Sequence, residues 1–338
     1  MERPPTVLIC DDSPTMRLAL RRSLVLGGLG VLGEAASGQE AVALAKKLEP
    51  DLITMDVMLP DLDGFQATRA ILAQGPARIV IVSAAGEALQ ADLSFRALQS
   101  GALDLVDKPN VGDPADLAAW GHQLAITLKS LAELPLGRRP PAPSYAQRPQ
   151  LGWRKVGVFA IVVSTGGPPA LARLLRDLPP TLSYPVLVAQ HIAAGFTQGL
   201  ARWLATQTAL PVRVAEGGEV AAPGSVWLPQ DRTDLLLHEG GRLRLLPNPG
   251  GVCPNGDRLL ASVAQRRGKE AAGAVLTGMG SDGAQGLLAL RQAGGLTFAQ
   301  DSASCVVDGM PAAAAALGGV DGRLTVEELG FVMAELGR

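Results

Sequence analysis

The first 134 residues alternate short apolar runs with longer amphipathic segments. Short apolar runs are typical of buried strands, whereas apolar positions at helical spacing are typical of helices. The predicted strands are Val7–Cys10, Val31–Ala35, Leu52–Met55, Ile79–Val82 and Leu103–Val106. The predicted helices are Thr15–Leu26, Gln39–Leu48, Phe65–Gln74, Ala88–Gln99 and Ala115–Leu131. Alternating units of this kind predict an α/β domain, a doubly wound five-strand parallel sheet with its site at the carboxyl ends of the strands.

Residues 151–338 repeat this alternation and add one different element. The predicted strands are Val156–Val163, Pro185–Gln190, Val212–Ala215, Ser225–Leu228 and Ala272–Thr277. The segment Leu235–Leu246 contains Gly240 and Gly241 near its middle, which predicts a β-hairpin. This region is therefore predicted to be a second α/β domain with a mostly parallel sheet and a β-hairpin.

The stretch between these regions has a different composition. Residues 135–150 contain five prolines and three arginines. Proline-rich segments favour extended conformations and cannot close a hydrophobic core. We therefore expect one domain at residues 1–134, a linker at 135–150 and a second domain at 151–338.

The charge distribution excludes a basic nucleic-acid reader. The net charge of the 338-residue chain is -2. The first domain carries 11 basic and 17 acidic groups, and residues 151–338 carry 16 and 15. Because phosphate contacts dominate nucleic-acid affinity, neither domain is expected to bind nucleic acid.

Hydropathy and cysteine content argue for a cytoplasmic chain. Hydrophobic residues make up 47% of the sequence, but no continuous apolar span is long enough to cross a bilayer. The N-terminus MERPPTVLICDD has no apolar segment of a secretion signal. Three scattered cysteines do not form a disulfide or zinc framework. We expect no direct membrane insertion.

Polar or charged side chains follow four of the five predicted strands of the first domain. Asp11 and Asp12 follow the first strand, Asp56 the third, Ser83 the fourth and Lys108 the fifth. Three carboxylates gathered at one sheet edge repel each other unless a divalent cation lies among them, and oxygen ligands suit Mg²⁺. Asp56 is then the candidate phosphoryl acceptor. The alternative is that acidic residues cap the strand ends without further chemistry.

A second candidate site begins with Ser164 in residues 151–338. The segment STGGPP follows a predicted strand and precedes a predicted helix. Glycines allow a substrate close to the backbone, and the helix N-terminus favours a developing anion. The plainer alternative is that Ser164 caps the helix. A phosphate-binding loop fits poorly, because Pro168 and Pro169 lack N–H groups.

A nucleophilic serine needs a base and an orienting carboxylate. Of three histidines, His122 and His238 are expected at the surface, whereas His191 follows an apolar strand. Asp282 follows another strand within a glycine-rich turn. Ser164, His191 and Asp282 therefore each follow a different strand and are a candidate catalytic triad.

The first domain resembles the receiver domains of bacterial response regulators. The motifs that carry the resemblance, from Thr6 to about Leu134, are LICDDSPTMR, TMDVMLPDLDG and DLVDKP. The resemblance implies phosphorylation of Asp56 by a histidine kinase, with Mg²⁺ held by Asp11, Asp12 and Asp56. It also implies that Ser83 and Lys108 are switch residues.

The second domain resembles the chemotaxis protein-glutamate methylesterases of the CheB family. The motifs are STGGP, QHIAAGFT, LTGMGSDGA and AQDSASCVVDGMP. The resemblance implies hydrolysis of glutamate methyl esters, and deamidation of glutamines, on chemoreceptors without a cofactor for this reaction. Ser164 is then the nucleophile, His191 the base and Asp282 its partner. Thr165 and Met279 lie at the expected oxyanion and substrate positions.

Five positions depart from the family pattern. Val162 stands in place of Gly, Ala193 and Ala194 replace Pro-Pro, Cys253 replaces Arg, and Asp308 replaces an aromatic residue. The departures at Val162 and Asp308 leave one alternative open, a degenerate esterase that docks on receptors without catalysis. A receiver-controlled transcription factor is a second alternative, which the +1 net charge of residues 151–338 disfavours.

Overall fold

The chain divides into two compact units, Met1–Arg138 and Arg139–Arg338. The computed structural model describes residues 3–83, 96–97, 100–109, 113–132, 155–192, 194–248, 250 and 252–337. The predicted linker at 135–150 lies outside the described residues. The boundaries 1–134, 135–150 and 151–338 therefore stay predictions.

The N-terminal unit contains the predicted five-stranded parallel sheet. Its strands are β1 (Thr6–Cys10), β2 (Gly30–Ala35), β3 (Leu52–Met55), β4 (Ile79–Ser83) and β5 (Asp104–Asp107). They are ordered β2-β1-β3-β4-β5, and every neighbouring pair is parallel. The doubly wound prediction is confirmed, with each strand within one residue of its predicted bounds at either end.

Four described helices cover this sheet. They are α1 (Pro14–Leu26), α2 (Gly38–Leu48), α3 (Gly64–Gln74) and α4 (Pro114–Ala132). Side chains of Ser13, Ser37 and Asp63 cap the first three by accepting backbone N–H groups, which explains where these helices begin. The helix predicted at Ala88–Gln99 lies, apart from residues 96 and 97, outside the described residues.

The C-terminal unit is built on a seven-stranded parallel sheet. Its strands are β6 (Val158–Val163), β7 (Val186–Gln190), β8 (Val212–Val214), β9 (Val226–Leu228), β12 (Ala271–Val275), β13 (Leu296–Gln300) and β14 (Gly322–Leu324). Their order is β14-β13-β12-β6-β7-β9-β8. The predicted hairpin is confirmed as β10 (Thr233–Leu237) and β11 (Leu243–Pro247), which pair antiparallel apart from this sheet.

The sequence analysis missed β13 and β14. Strand β13 contains Thr297, whose backbone and hydroxyl both donate to Asp321, and this polar position breaks the apolar run. Strand β14 has three residues, too few to produce a periodic pattern. Both strands form because neighbouring strands supply their hydrogen-bond partners, which is a tertiary effect.

The helices of this unit are α5 (Gly167–Arg176), α6 (Thr197–Ala205), α7 (Gly256–Arg267), α8 (Ala284–Gln292), α9 (Gly309–Ala316) and α10 (Val326–Leu336). Strands β6 and β12 are buried along their whole length, as expected of central strands with helices on both faces. Within the described part of the chain, none of the helices is long and apolar enough to span a membrane.

Candidate functional sites

Three carboxylates meet at the carboxyl edge of the N-terminal sheet. Asp11 and Asp12 follow β1, and Asp56 follows the adjacent strand β3. Oxygen atoms of the three side chains lie within 4.8 Å of one another. Asp11 and Asp56 are buried, whereas Asp12 is exposed. The structure thus brings together all three predicted metal residues at this edge of the sheet.

Lys108 neutralises two of these carboxylates. Its Nζ atom lies 2.7 Å from Asp56 Oδ2 and 2.8 Å from Asp11 Oδ2. Burial works to lower the pKa of Lys108, but hydrogen bonds and charges from Asp11 and Asp56 outweigh it and raise that pKa. Burial raises the pKa of Asp11, and contact with Lys108 only partly offsets it. Lys108 is therefore a charged lysine that balances the carboxylates of Asp11 and Asp56.

Ser83 supplies an unpaired hydroxyl at the end of β4. Its Oγ atom is buried and has no hydrogen-bond partner among the described residues. A buried hydroxyl without a partner is costly, and this one is free to donate to a phosphoryl oxygen. Together with the clustered carboxylate oxygens, it fits a site for a divalent cation and a phosphoryl group.

Two residues of this edge were missed by the sequence analysis. Arg17 donates from Nη1 to the carbonyl oxygens of Asp11 and Asp12, at 2.8 and 3.1 Å, and fixes the acidic loop. Gly64 begins α3 so close to Asp56 that an added Cβ would lie 1.9 Å from its carbonyl oxygen. A bond from an Arg side chain to backbone carbonyls and a steric limit at a glycine leave no periodic signal in the sequence.

Ser164 lies in a tight turn directly after β6. Its backbone N–H donates to Thr277 across the sheet at 2.9 Å, and its carbonyl accepts Gly167 N at 2.8 Å. Gly166 has φ of +74° and is the N-cap of α5, which receives no side-chain cap bond. The alternative in which Ser164 caps this helix is therefore wrong, because its side chain makes no cap bond there.

His191 and Asp282 form a close pair. Nε2 of His191 lies 2.7 Å from Oδ2 of Asp282. That oxygen also accepts Gly256 N at 2.6 Å, and Oδ1 accepts Asp257 N at 3.1 Å. Burial alone works to raise the pKa of Asp282, but His191 and the two N–H groups outweigh it and lower that pKa. Asp282 is thus held as a carboxylate at the N-terminus of α7.

The strand register brings Ser164 beside His191. Val163 pairs with Gln190 across β6 and β7, and His191 N donates to Val163 O at 2.9 Å. Ser164 is the residue after Val163 on β6, and His191 is the residue after Gln190 on β7. No hydrogen bond joins Ser164 Oγ to the His191 ring among the residues the structure describes. Since Asp282 takes Nε2, Nδ1 is the ring nitrogen left for the serine, and such bonds commonly tighten when substrate binds.

The turn after β12 passes against the serine. Gly278 is buried, and an added Cβ there would lie 2.6 Å from Ser164 Cβ. Met279 follows and is half-buried. The Thr165 carbonyl accepts the Thr277 hydroxyl at 2.9 Å. Both predicted oxyanion residues therefore lie on segments that contact or adjoin Ser164.

Thr277 was not singled out from the sequence, although it joins three segments of this site. Its buried hydroxyl accepts Val306 N at 3.0 Å and Val307 N at 2.9 Å while donating to Thr165. A polar residue at the end of an apolar strand is the signal that could have identified it. Gly256 was missed as well: an added Cβ would lie 2.1 Å from Val162 Cγ1 and 2.9 Å from Asp282 Oδ2.

Two of the departures from the family pattern, Val162 and Asp308, make contacts that the structure shows. Val162 is fully buried beneath Gly256 and Gly283, so it packs under the Asp282 loop. Asp308 pairs with Arg323 and accepts the Ser302 hydroxyl at 2.6 Å. Nothing in the structure explains Cys253, and Ala193 lies outside the described residues. His122 is exposed as expected, whereas His238 is half-buried rather than exposed, because it lies in the hairpin against neighbouring loops.

Two family models match the chain. The model of the CheB methylesterase matches residues 159–332, and that of the response regulator receiver domain matches residues 7–119. A solved structure, the Thermotoga maritima CheB methylesterase catalytic domain, is 32% identical with a TM-score of 0.51. The match covers 54% of this chain and 99% of that one.

Two curated relatives match nearly the full length. Protein-glutamate methylesterase/protein-glutamine glutaminase 3 of Myxococcus xanthus (strain DK1622) is 51% identical over 93% of this chain and 88% of its own length. The protein of the same name in Anaeromyxobacter dehalogenans (strain 2CP-C) is 43% identical and covers 96% of both chains. With two family models placed in this order, the chain belongs to the CheB methylesterase family, with a response-regulator receiver domain before its methylesterase domain.

Proposed function

We propose that this protein removes methyl groups from glutamate γ-methyl esters of chemoreceptors, and deamidates receptor glutamines, under control of phosphorylation at Asp56. The observation that carries the proposal is the His191–Asp282 pair beside Ser164. Ser164 and His191 directly follow the adjacent strands β6 and β7, and Asp282 lies in the loop after β12. The names of the relatives support the substrate class. An intact pair of this kind counts against the docking-only alternative.

His191 acts as the general base in this proposal. Its Nδ1 accepts the Ser164 hydroxyl proton while the serine oxygen attacks the ester carbonyl. Asp282 accepts a hydrogen bond from Nε2 and stabilises the imidazolium that forms, without taking the proton itself. The lowered pKa of Asp282 keeps it ionised for this role at neutral pH.

The developing oxyanion is stabilised by backbone N–H groups near Thr165 and Met279. Gly278 allows the Met279 segment to approach Ser164 without a steric clash. Removing one oxyanion donor typically costs about 2.7–4 kcal/mol of transition-state stabilisation.

The covalent steps balance without a cofactor. Attack forms a tetrahedral intermediate, and its C–O bond to the methoxy group breaks as His191 returns the proton, so methanol leaves. Water then attacks the acyl-enzyme with His191 again as base. The products are a glutamate carboxylate and free Ser164. For a glutamine substrate the same steps release ammonia in place of methanol.

The receiver site would take a phosphoryl group from a histidine kinase onto Asp56. Asp11, Asp12 and Asp56 would hold Mg²⁺, which shields the charge of the incoming phosphoryl group. Lys108 and the unpaired Ser83 hydroxyl are placed to contact phosphoryl oxygens. Phosphorylation replaces the single negative charge of the Asp56 carboxylate by a phosphoryl group that itself carries about -1.5 to -2 charges, and this change is the signal that regulates the esterase.

The test is methanol release from a methylated receptor fragment by full-length protein. We expect Ser164→Ala to lose this activity and to resist labelling by a serine-directed phosphonate. Undiminished methanol release from Ser164→Ala would remove this serine from the mechanism. The exposed Ser281 provides a control, because Ser281→Ala leaves the three proposed catalytic groups intact.

A further inference from the structure

Gln190, the last residue of β7, joins the backbones of the two residues proposed as nucleophile and base. Its side chain is 3% exposed. Nε2 donates to the Ser164 carbonyl at 3.0 Å and to the His191 carbonyl at 2.8 Å. One side-chain amide therefore binds both strand ends at once.

The orientation of this amide is determined by its neighbours. Exchanging its oxygen and nitrogen would place Oε1 against two carbonyl oxygens, where no donor exists. In the observed orientation Oε1 is buried and has no partner among the described residues. It lies so close to Gly167 that an added Cβ would be 2.0 Å away. Because a buried unpaired acceptor is costly, this arrangement is retained at the expense of stability.

The Gln190 amide lies where the backbone ladder between β6 and β7 stops. The last backbone bond runs from His191 N to Val163 O at 2.9 Å. Beyond it Ser164 turns towards α5, since its carbonyl accepts Gly167 N. The Gln190 side chain adds the next cross-strand link, at the level of the reacting residues.

A second glutamine makes a similar link on the other side of the site. Gln300 ends β13 and is 1% exposed. Its Oε1 accepts Thr277 N at 2.9 Å, and its Nε2 donates to Ser304 O at 2.6 Å. In the order β13-β12-β6-β7, these two glutamines flank the strands that lead to Thr277 and Ser164.

We propose that Gln190 and Gln300 are positioning residues that extend the sheet by side-chain hydrogen bonds and hold Ser164, His191 and the Thr277–Met279 turn in register. This inference rests on the catalytic roles proposed above. It requires that loss of the Gln190 N–H groups lowers kcat while KM changes little, because the link holds the reacting groups and contacts no substrate.

Gln190→Met separates positioning from stability. Methionine has similar volume, removes the two donated bonds and also removes the unpaired acceptor. Ser164 O keeps Gly167 N as a donor, and loss of the unpaired Oε1 offsets the donor that the His191 carbonyl loses, so the free energy of unfolding is expected to change little. A displacement of about 1 Å at a reacting group can cost about 100-fold in rate, so we expect kcat to fall at least about tenfold.

The experiment compares full-length Gln190→Met, Gln300→Met and the control Gln292→Met. Gln292 is exposed at the C-terminal end of α8. We measure kcat and KM for methanol release, the rate of Ser164 phosphonylation, and urea unfolding. The expected result is a loss of kcat and of labelling rate for Gln190→Met, a smaller loss for Gln300→Met, and none for Gln292→Met.

Three results would overturn the inference. The first is a kcat for Gln190→Met within twofold of the control. The second is a loss of kcat accompanied by an equivalent loss of unfolding free energy, which indicates a structural role. If Gln190→Met does not fold, it is replaced by Gln190→Asn, whose side chain is one methylene shorter. A wild-type kcat in Gln190→Asn is then the third result that would overturn the inference. Failure of the proposed function is recognised separately, because Ser164→Ala would then keep its activity.

Discussion

The two candidate sites occupy the same place in their sheets but have opposite electrostatics. In the receiver, three carboxylates converge, and Lys108 is held between Asp11 and Asp56. In the esterase, one carboxylate, Asp282, is paired with His191 and with two N–H groups of α7. The receiver site accumulates negative charge that a cation must balance. In the esterase site the carboxylate oxygens of Asp282 already accept hydrogen bonds from His191 and from two backbone N–H groups. Parallel sheets thus bring residues together at one edge, and the loops decide the chemistry.

The largest expected effect tests the carboxylate of the esterase. We expect Asp282→Asn to lower kcat for methanol release by about 10⁴-fold, because an amide no longer selects the correct histidine tautomer. Asp177→Asn, at an exposed position after α5, is the charge-matched control and should retain full activity. Equal activity of the two variants would show that the esterase does not depend on this carboxylate.

The second prediction addresses the receiver carboxylates. Asp56→Asn should abolish the increase in methanol release that a small-molecule phosphoryl donor produces, while basal release remains. Asp61→Asn removes the same charge from an exposed residue of this unit, and its φ of +64° suits asparagine. A donor response that persists in Asp56→Asn would place phosphorylation elsewhere.

The third prediction concerns the helix end that holds Asp282. In Gly256→Ala the new methyl group would meet Val162 and the Asp282 carboxylate, so we expect a loss of kcat together with about 1–3 kcal/mol of unfolding free energy. Gly322→Ala is the control, since an added Cβ there meets nothing within 4 Å. Urea unfolding and methanol release are measured on both variants. Equal stability and equal kcat of Gly256→Ala and Gly322→Ala would contradict this prediction.

The smallest effect is a difference in the pH dependence of the two units. Burial raises the pKa of Asp104 and of Asp107 in β5 to about 6, from 3.8. Between these values the folded receiver binds more protons than the unfolded chain, so its stability falls as pH rises from about 4 to 6. The pKa of Asp282 is lowered, so its contribution is present above pH 3.8 and is lost as pH falls further.

Hydrogen exchange followed by mass spectrometry resolves the two units within the full chain. We expect receiver amides to lose protection between pH 4 and pH 6 after correction for intrinsic exchange, and Asp107→Asn to reduce this trend. Esterase amides should show a smaller loss over the same range, because burial raises the pKa of Asp257 in that unit while the pKa of Asp282 is lowered. An equal loss of protection in both units would contradict the raised pKa values of Asp104 and Asp107 as the cause of the receiver's pH dependence.

Strand positions were predictable because central parallel strands are continuous apolar runs. Leu52–Met55 matches its predicted bounds, and the other receiver strands differ only at their ends. Strand-end logic also placed Asp11, Asp56 and Lys108 on one edge. The search for apolar runs missed β13 and β14, because the formation of these strands depends on hydrogen-bond partners supplied by neighbouring strands.

The sequence by itself determined the two α/β units and the residue types at the strand ends, since periodicity and motif order are local properties of the chain. Only the tertiary structure decided that α7 donates to Asp282, that Thr277 joins three loops, and that Gln190 links Ser164 to His191. These contacts join residues far apart in the sequence or depend on side-chain direction. Local patterns cannot specify them, because their geometry exists only once the sheet has formed.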